Sequence, residues 1–248
     1  MRILYLFPVG LPRFPVGLFR PPAVVLRLTV GLFHLLVGMI GLPASAQIQV
    51  SQEPRHHKVL ENEWVRVLDV RIPPGDTTMM HKHSTPSVFV VLTQTKTGSE
   101  VLVEPGRTST STDPNIWFEG FYTKPRVHRV WNEDTTGFHV MDIELLHGSA
   151  PTSNDSIRIP YSHLLFDEKP VQGLRVDLAP GKEFHLNSLP RPVLIVGLSG
   201  PDANGSVNGH AFTKKGDYFF IPAGSPLHIA NTSASADHHF AVFLLKGY

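Results

Sequence analysis

The chain has 248 residues, with 22 basic and 21 acidic side chains, 14 histidines and no cysteine. A charge balance this even gives no electrostatic basis for nucleic-acid binding. The lack of cysteine excludes a disulfide scaffold, a thiolate nucleophile and a Cys-ligated zinc.

Residues 1–46 read as a signal peptide. Arg2, Arg13 and Arg20 stand in a segment without acids, and AVVLRLTVGLFHLLVGMIGLP follows, polar only at Arg27, Thr29 and His34. Ala44-Ser45-Ala46 then offers the small residues that a signal peptidase needs. Arg27 holds the uninterrupted apolar run below the roughly 20 residues of a membrane span, which argues against an uncleaved anchor. The expected product is exported, periplasmic or secreted, begins at Gln47 and has no stable membrane insertion. It is long enough for two domains of roughly 100 residues each.

Residues 47–54 read as a polar arm. His56 and His57, just beyond it, belong either to a solvated arm or to a segment folded over the mouth of a barrel. Predicted strands VRVLDV, SVFVVLT, EVLVE, HRVWN and HVMDIELL, separated by Gly, Pro, Asp and Asn, make up a first unit over 55–148. Residues 149–170 are rich in Ser and Pro and read as a linker, with SHLLF as one short helical turn. Strand signals resume over 171–248 with LRVDLAPG, PVLIVGLSG, DYFFIPAG, HIANTS and FAVFLLK. VLDVRIPPG, ending at Gly75, is similar to LRVDLAPG, ending at Gly181, and HRVWN is similar to HIAN. The chain therefore reads as an all-β tandem duplication, each half a sandwich or barrel.

The chemistry concentrates in GDTTMMHKHSTPSVFVV, where His81 and His83 are two apart before a β-branched run. Side chains at i and i+2 share one face of a strand, so both imidazoles aim at one place. His128, in PRVHRVWN, is the candidate third ligand. Neutral imidazole suits Fe(II), Mn, Ni, Cu or Zn, so ligand type alone does not choose. Met79 and Met80 read as apolar lining at the mouth, or as a preference for a soft ion such as copper. His238 and His239, in DHHF, read as an exposed turn. There is no phosphate-binding loop, dinucleotide fingerprint or GxSxG elbow.

These residues resemble the cupin family, whose two motifs are G(X)5HXH(X)3–4E(X)6G and G(X)5PXG(X)2H(X)3N. Gly75, His81 and His83 fit the first; Gly120, Pro125, His128 and Asn132 fit the second, which is slightly shortened and lacks its PxG glycine. The resemblance covers nearly all of residues 47–248 and implies two jelly-roll barrels, or double-stranded β-helices, with the metal ligands pointing inward. The family's glutamate falls at Ser87 or Val88, neither a strong ligand. Three neutral histidines then make the site, as in three-histidine cupin-type dioxygenases. Asn132 is expected to tie down a turn and Glu144 to face the cavity. In the second unit the HxH positions become Asn187 and Leu189, while Gly216, Pro222, Gly224, His228 and Asn231 keep the second motif. That unit is expected to be metal-free, with His228 hydrogen-bonded in the barrel or at its rim.

The expected function is a metal-dependent, dioxygenase-like oxidoreductase acting on a small organic substrate, with Fe(II) ahead of Mn, Ni, Cu or Zn; no catalytic residue is assigned. The alternatives are a non-catalytic module binding a metal or small ligand, and a metal-dependent isomerase or lyase for a sugar acid. The two units can pair within one chain, so both monomer and homodimer are open.

Overall fold

The computed structural model describes residues 47–103, 113, 115–121, 124–146 and 157–248. The signal-peptide reading of residues 1–46 and the stretch 149–156 of the expected linker lie outside the described residues.

The first barrel contains β1 (Ile48–Gln49), β2 (His56–Glu61), β3 (Val65–Ile72), β4 (His81–His83), β5 (Ser87–Val91), β6 (Thr97–Val103), β7 (Ile116–Glu119), β8 (Arg126–Asn132) and β9 (Phe138–Leu145). The second contains β10 (Ser162–Asp167), β11 (Val171–Leu178), β12 (Glu183–Leu186), β13 (Val193–Gly197), β14 (Gly205–Val207), β15 (His210–Phe212), β16 (Tyr218–Ile221), β17 (Leu227–Asn231) and β18 (His238–Leu245). Each barrel is a jelly roll of two sheets. In the first these run β2-β3-β9-β5-β7 and β1-β4-β8-β6; in the second, β10-β11-β18-β13-β16 and β12-β17-β14-β15. No helix among the described residues is long and apolar enough to cross a membrane.

The two five-stranded sheets are covered on both faces, and the residue pattern shows why. In β3, Val65 and Val67 join a core shared with the second barrel, whereas Leu68, Val70 and Ile72 line the inside of the first. β9 does the same, with Met141, Ile143 and Leu145 outward and Val140 inward. The second barrel answers with Leu194, Val196, Ala241, Phe243 and Leu245. Tyr218 donates to the carbonyl of Val59 (2.8 Å) and Tyr248 to that of Leu145 (3.1 Å), fixing the two barrels together.

The duplication extends to single hydrogen bonds. Gly75 and Gly181 both take positive φ, 72° and 67°, which a residue without Cβ adopts freely. Their amides donate to the carbonyls of Asn132 and Asn231, each at 3.1 Å. The Asn132 amide donates to Ile72 and Thr136 carbonyls; that of Asn231 donates to Leu178 and Ala236. Asn132 thus ties down a turn, as expected, and its counterpart repeats the device.

Two expectations are corrected. The polar arm 47–54 is part of the barrel: β1 pairs parallel with β4, Val50 is buried in the first barrel's interior, and Glu53 is buried. The SHLLF stretch of the expected linker is strand β10 rather than a helical turn. It pairs antiparallel with β11, with a bulge between Leu164 and Phe166. Leu165 and Phe166 gain burial in the shared core, and this tertiary gain overrides the local Ser/Pro signal.

Candidate metal centre

β4 and β8 are antiparallel neighbours, with His81 opposite His128 and His83 opposite Arg126. The pleat turns His81, His83 and His128 to the inside of the first barrel. His81 Nε2 lies 3.1 Å from His83 Nε2, and His83 Nε2 lies 3.0 Å from His128 Nε2. Among the described residues this is one of two clusters of potential ligands, and the buried one.

The donor set fits a metal ion. The Nδ1 of His81 lies 2.8 Å from the carbonyl of Met79, which can only accept, so the ring proton sits on Nδ1 and Nε2 carries a lone pair. The Nδ1 atoms of His83 and His128 are buried and have no hydrogen-bond partner. For donors about 2.1 Å from an ion, a right-angle pair is about 3.0 Å apart and a tetrahedral pair about 3.4 Å. The two observed spacings, both to His83 Nε2, match a right-angle pair of donors about one ion.

Burial keeps these rings neutral and therefore able to ligate. It pushes His81 down to about 4, with His56 adding to the effect, and His128 to about 2, with His81 adding. His83 is held well below the usual histidine range by burial and by the neighbouring His128 and His81.

The supporting residues come from segments that the motif does not include. Glu53 accepts from His56 Nδ1 (2.7 Å), the Arg55 amide (2.6 Å) and the Met79 amide (3.1 Å). It thereby holds the loop whose Met79 carbonyl orients His81. His56 is buried with its ring 4.7 Å from that of His81, whereas His57 is exposed. Asp142 is buried, with Oδ2 3.4 Å from His83 Nδ1. Burial, with Glu144 nearby, pushes Asp142 well above the usual carboxylate range.

The site opens into a cavity of about 220 Å³. Its walls are mostly apolar, including Val70, Ile72, Phe89, Trp117, Val130 and Phe138; Arg126 and Asp142 are its charged lining residues.

Several single-residue expectations change. Glu144 pairs with Arg66 at 2.8 Å, and the acid facing the histidines is Asp142, two residues earlier on the same face of β9. Ser87 donates to the carbonyl of Thr85 (3.1 Å), and Val88 packs into the shared core. Met79 is 52% exposed, and neither it nor Met80 lines the cavity. His238 is fully buried rather than exposed, and His239 pairs with Asp177 at 2.6 Å.

The second barrel carries no equivalent site among the described residues. Counting four residues back from Asn132 and Asn231, His128 corresponds to Leu227, which is buried in an apolar interior with Leu189, Phe184 and Ile229. His228 points the other way, to the outer face, where it stacks on His185 (3.8 Å between centroids) and meets Glu183 at 3.0 Å. That second cluster is half-exposed or exposed throughout.

No family model matches the sequence, and no curated protein matches it. Solved structures do. Salicylate 1,2-dioxygenase from Pseudoaminobacter salicylatoxidans, solved as adducts with gentisate, matches with a TM-score of 0.52 at 12% identity, over 90% of this chain and 79% of that one. The bacterial pirin YhhW from Escherichia coli, in complex with nickel(II), matches with a TM-score of 0.52 at 16% identity, over 78% of this chain and 91% of that one. A cupin 2 conserved barrel domain protein from Leptotrichia buccalis matches with a TM-score of 0.44 at 12% identity, over 76% of this chain and 87% of that one.

The chain has the cupin fold, built twice. Its first cupin barrel keeps the inward histidine triad, and its second has filled the same space with apolar side chains. Sequence reasoning missed Arg126, Asp142, Trp117 and Glu53 as residues of the site. Arg126 was accessible to the rule that found His83, since it sits two residues before His128 on one strand face. Asp142 and Glu144 share a parity, and only depth along β9 separates them.

Proposed function

We propose that the first cupin barrel binds a divalent metal ion through His81, His83 and His128 and serves as a dioxygenase-like oxidoreductase for a small organic substrate. The observation that carries this reading is the convergence of three Nε2 atoms, 3.0 and 3.1 Å apart, at an apolar-walled cavity. Such an ion, Fe(II) in this reading, would be held by these three histidines and would supply Lewis-acid and redox chemistry toward a substrate and O2. A small-molecule role is consistent with the gentisate adducts of one structural neighbour, and a metal role with the nickel(II) of another.

The chain's own residues set the conditions. Met79 fixes the tautomer of His81, and Asp142 faces the Nδ1 proton that His83 carries when its Nε2 is free to ligate. Glu53 accepts a hydrogen bond from His56 Nδ1 and so orients the His56 ring on the cavity wall. The apolar walls exclude water from a site without a carboxylate ligand. We further take residues 1–46 as a cleaved signal peptide, the working chain as exported, periplasmic or secreted, and the protein as a monomer or homodimer.

The missing carboxylate ligand favours one alternative, a metal-binding module without turnover, because lost negative charge weakens Fe(II) retention. Oxygen uptake separates the two. The Fe(II)-loaded chain, screened against small hydroxy- and keto-acids, is expected to consume O2 with at least one of them, and His83→Ala to consume none. A fully loaded protein that never consumes O2 selects the binding module.

A further inference from the structure

The cavity beside the triad holds hydrogen-bond donors that the protein leaves unused. Arg126 Nε is buried without a hydrogen-bond partner, and Arg126 has no ion pair among the described residues. Trp117 Nε1 is also buried without a partner. Both residues line the cavity that contains His81, His83 and His128. A buried donor left without an acceptor is costly, and more so when charged, so unused donors at a cavity wall mark where a ligand acceptor goes. Arg126 is opposite His83 in the β4–β8 pair, and two residues from His128 on the same strand face. This puts its Cα roughly 7 Å along the strand from that of a ligand histidine.

The other lining residues narrow the ligand. Asp142, the acid among them, faces His83 at 3.4 Å and makes no ion pair with Arg126. Phe89 stacks on Trp117 with centroids 5.2 Å apart, giving a flat apolar wall. An engineered cavity of about 150 Å³ accepts benzene; the 220 Å³ here accommodates a slightly larger planar molecule.

From these juxtapositions we infer that the first barrel recognises a small aromatic or similarly flat carboxylate, with its carboxylate on Arg126 and Trp117 Nε1 and its apolar body against Phe89. The inference rests on the reading of this cavity as the substrate site. It goes beyond that reading in naming a substrate class and a specificity residue that does not ligate the metal.

The test is calorimetric titration of benzoate and of neutral benzamide into the full chain at pH 8. Wild type, Arg126→Gln and Arg126→Lys are each measured metal-free and after Zn(II) loading, with zinc stoichiometry recorded. Benzoate is expected to bind wild type at least about ten-fold more tightly than benzamide does. Arg126→Gln should abolish that preference and leave zinc content unchanged, and Arg126→Lys should keep part of it. Equal affinities for benzoate and benzamide, no benzoate binding, or an unchanged preference in Arg126→Gln would overturn the inference. Should Arg126→Gln fail to fold, the wild-type preference and its partial retention in Arg126→Lys still decide. A protein that keeps the preference but never holds zinc would overturn the metal reading and leave the carboxylate site standing.

Discussion

At the scale of single residues, the decisive feature is neutral imidazole in a buried place. Burial holds His81 and His238 near 4, His128 near 2 and His83 well below its usual value. An unfolded histidine titrates near 6.5, so between about pH 6.5 and 4 the unfolded chain binds more protons than the folded one. Stability of the metal-free protein must then fall as pH drops through that window, by up to about 3 kcal/mol for His81 alone. Asp142 acts in the opposite sense, since its folded form holds a proton that the unfolded form gives up. One acid against four histidines does not reverse the sign. Urea unfolding of metal-free protein should show a lower midpoint at pH 5 than at pH 7.5; an equal or higher midpoint at pH 5 would show that these rings are not held neutral.

At the scale of elements, the barrel's N-terminal segment does more than its composition suggests. β1 adds a parallel strand to β4, and Glu53, just after it, joins Arg55, His56 and Met79. Replacing Glu53 with Ala leaves these donors without their acceptor and should cost about 1–3 kcal/mol in stability. It should also weaken metal binding, because the Met79 carbonyl is no longer held against His81. Chemical denaturation and a competitive metal titration measure the two effects, and an unchanged metal affinity would detach this segment from the site.

Sequence could show the long strands, because apolar residues recur in β3, β5, β9, β11, β13 and β18 whatever the partner. It could not show β1, or that SHLLF is a strand, because those short segments are strands only through their neighbours. The pair His81 and His83 was legible because same-face spacing in a strand is local. Asp142 and Trp117 were not, because their roles depend on which strand lies beside which, and on depth within the barrel. The second half also shows where motif matching slips: His228 falls one residue out of phase with His128, and one residue in a strand exchanges inside for outside.

At the scale of the whole molecule, the two halves of the duplication differ inside. One barrel holds the histidine triad and an open cavity, and the other holds a continuous apolar interior. They share a core in which Phe243, Leu194 and Phe166 of the second meet Val88, Phe118 and Ile143 of the first. Unfolding either barrel exposes that core, so metal-free protein should unfold in one calorimetric transition. Phe243→Ala should lower that transition as a whole, at a cost of about 3–5 kcal/mol. Two resolved transitions would mean that the barrels are independent.

The central claim is that the metal belongs to the first barrel alone. Elemental analysis tests it most directly, on the chain purified without a histidine tag and compared with His81→Ala and His228→Ala. The account predicts about one divalent ion per chain, lost in His81→Ala and retained in His228→Ala. Retention in His81→Ala with loss in His228→Ala would move the site to the outer face of the second barrel. No ion in any of the three, even after anaerobic reconstitution with Fe(II), would contradict the claim outright.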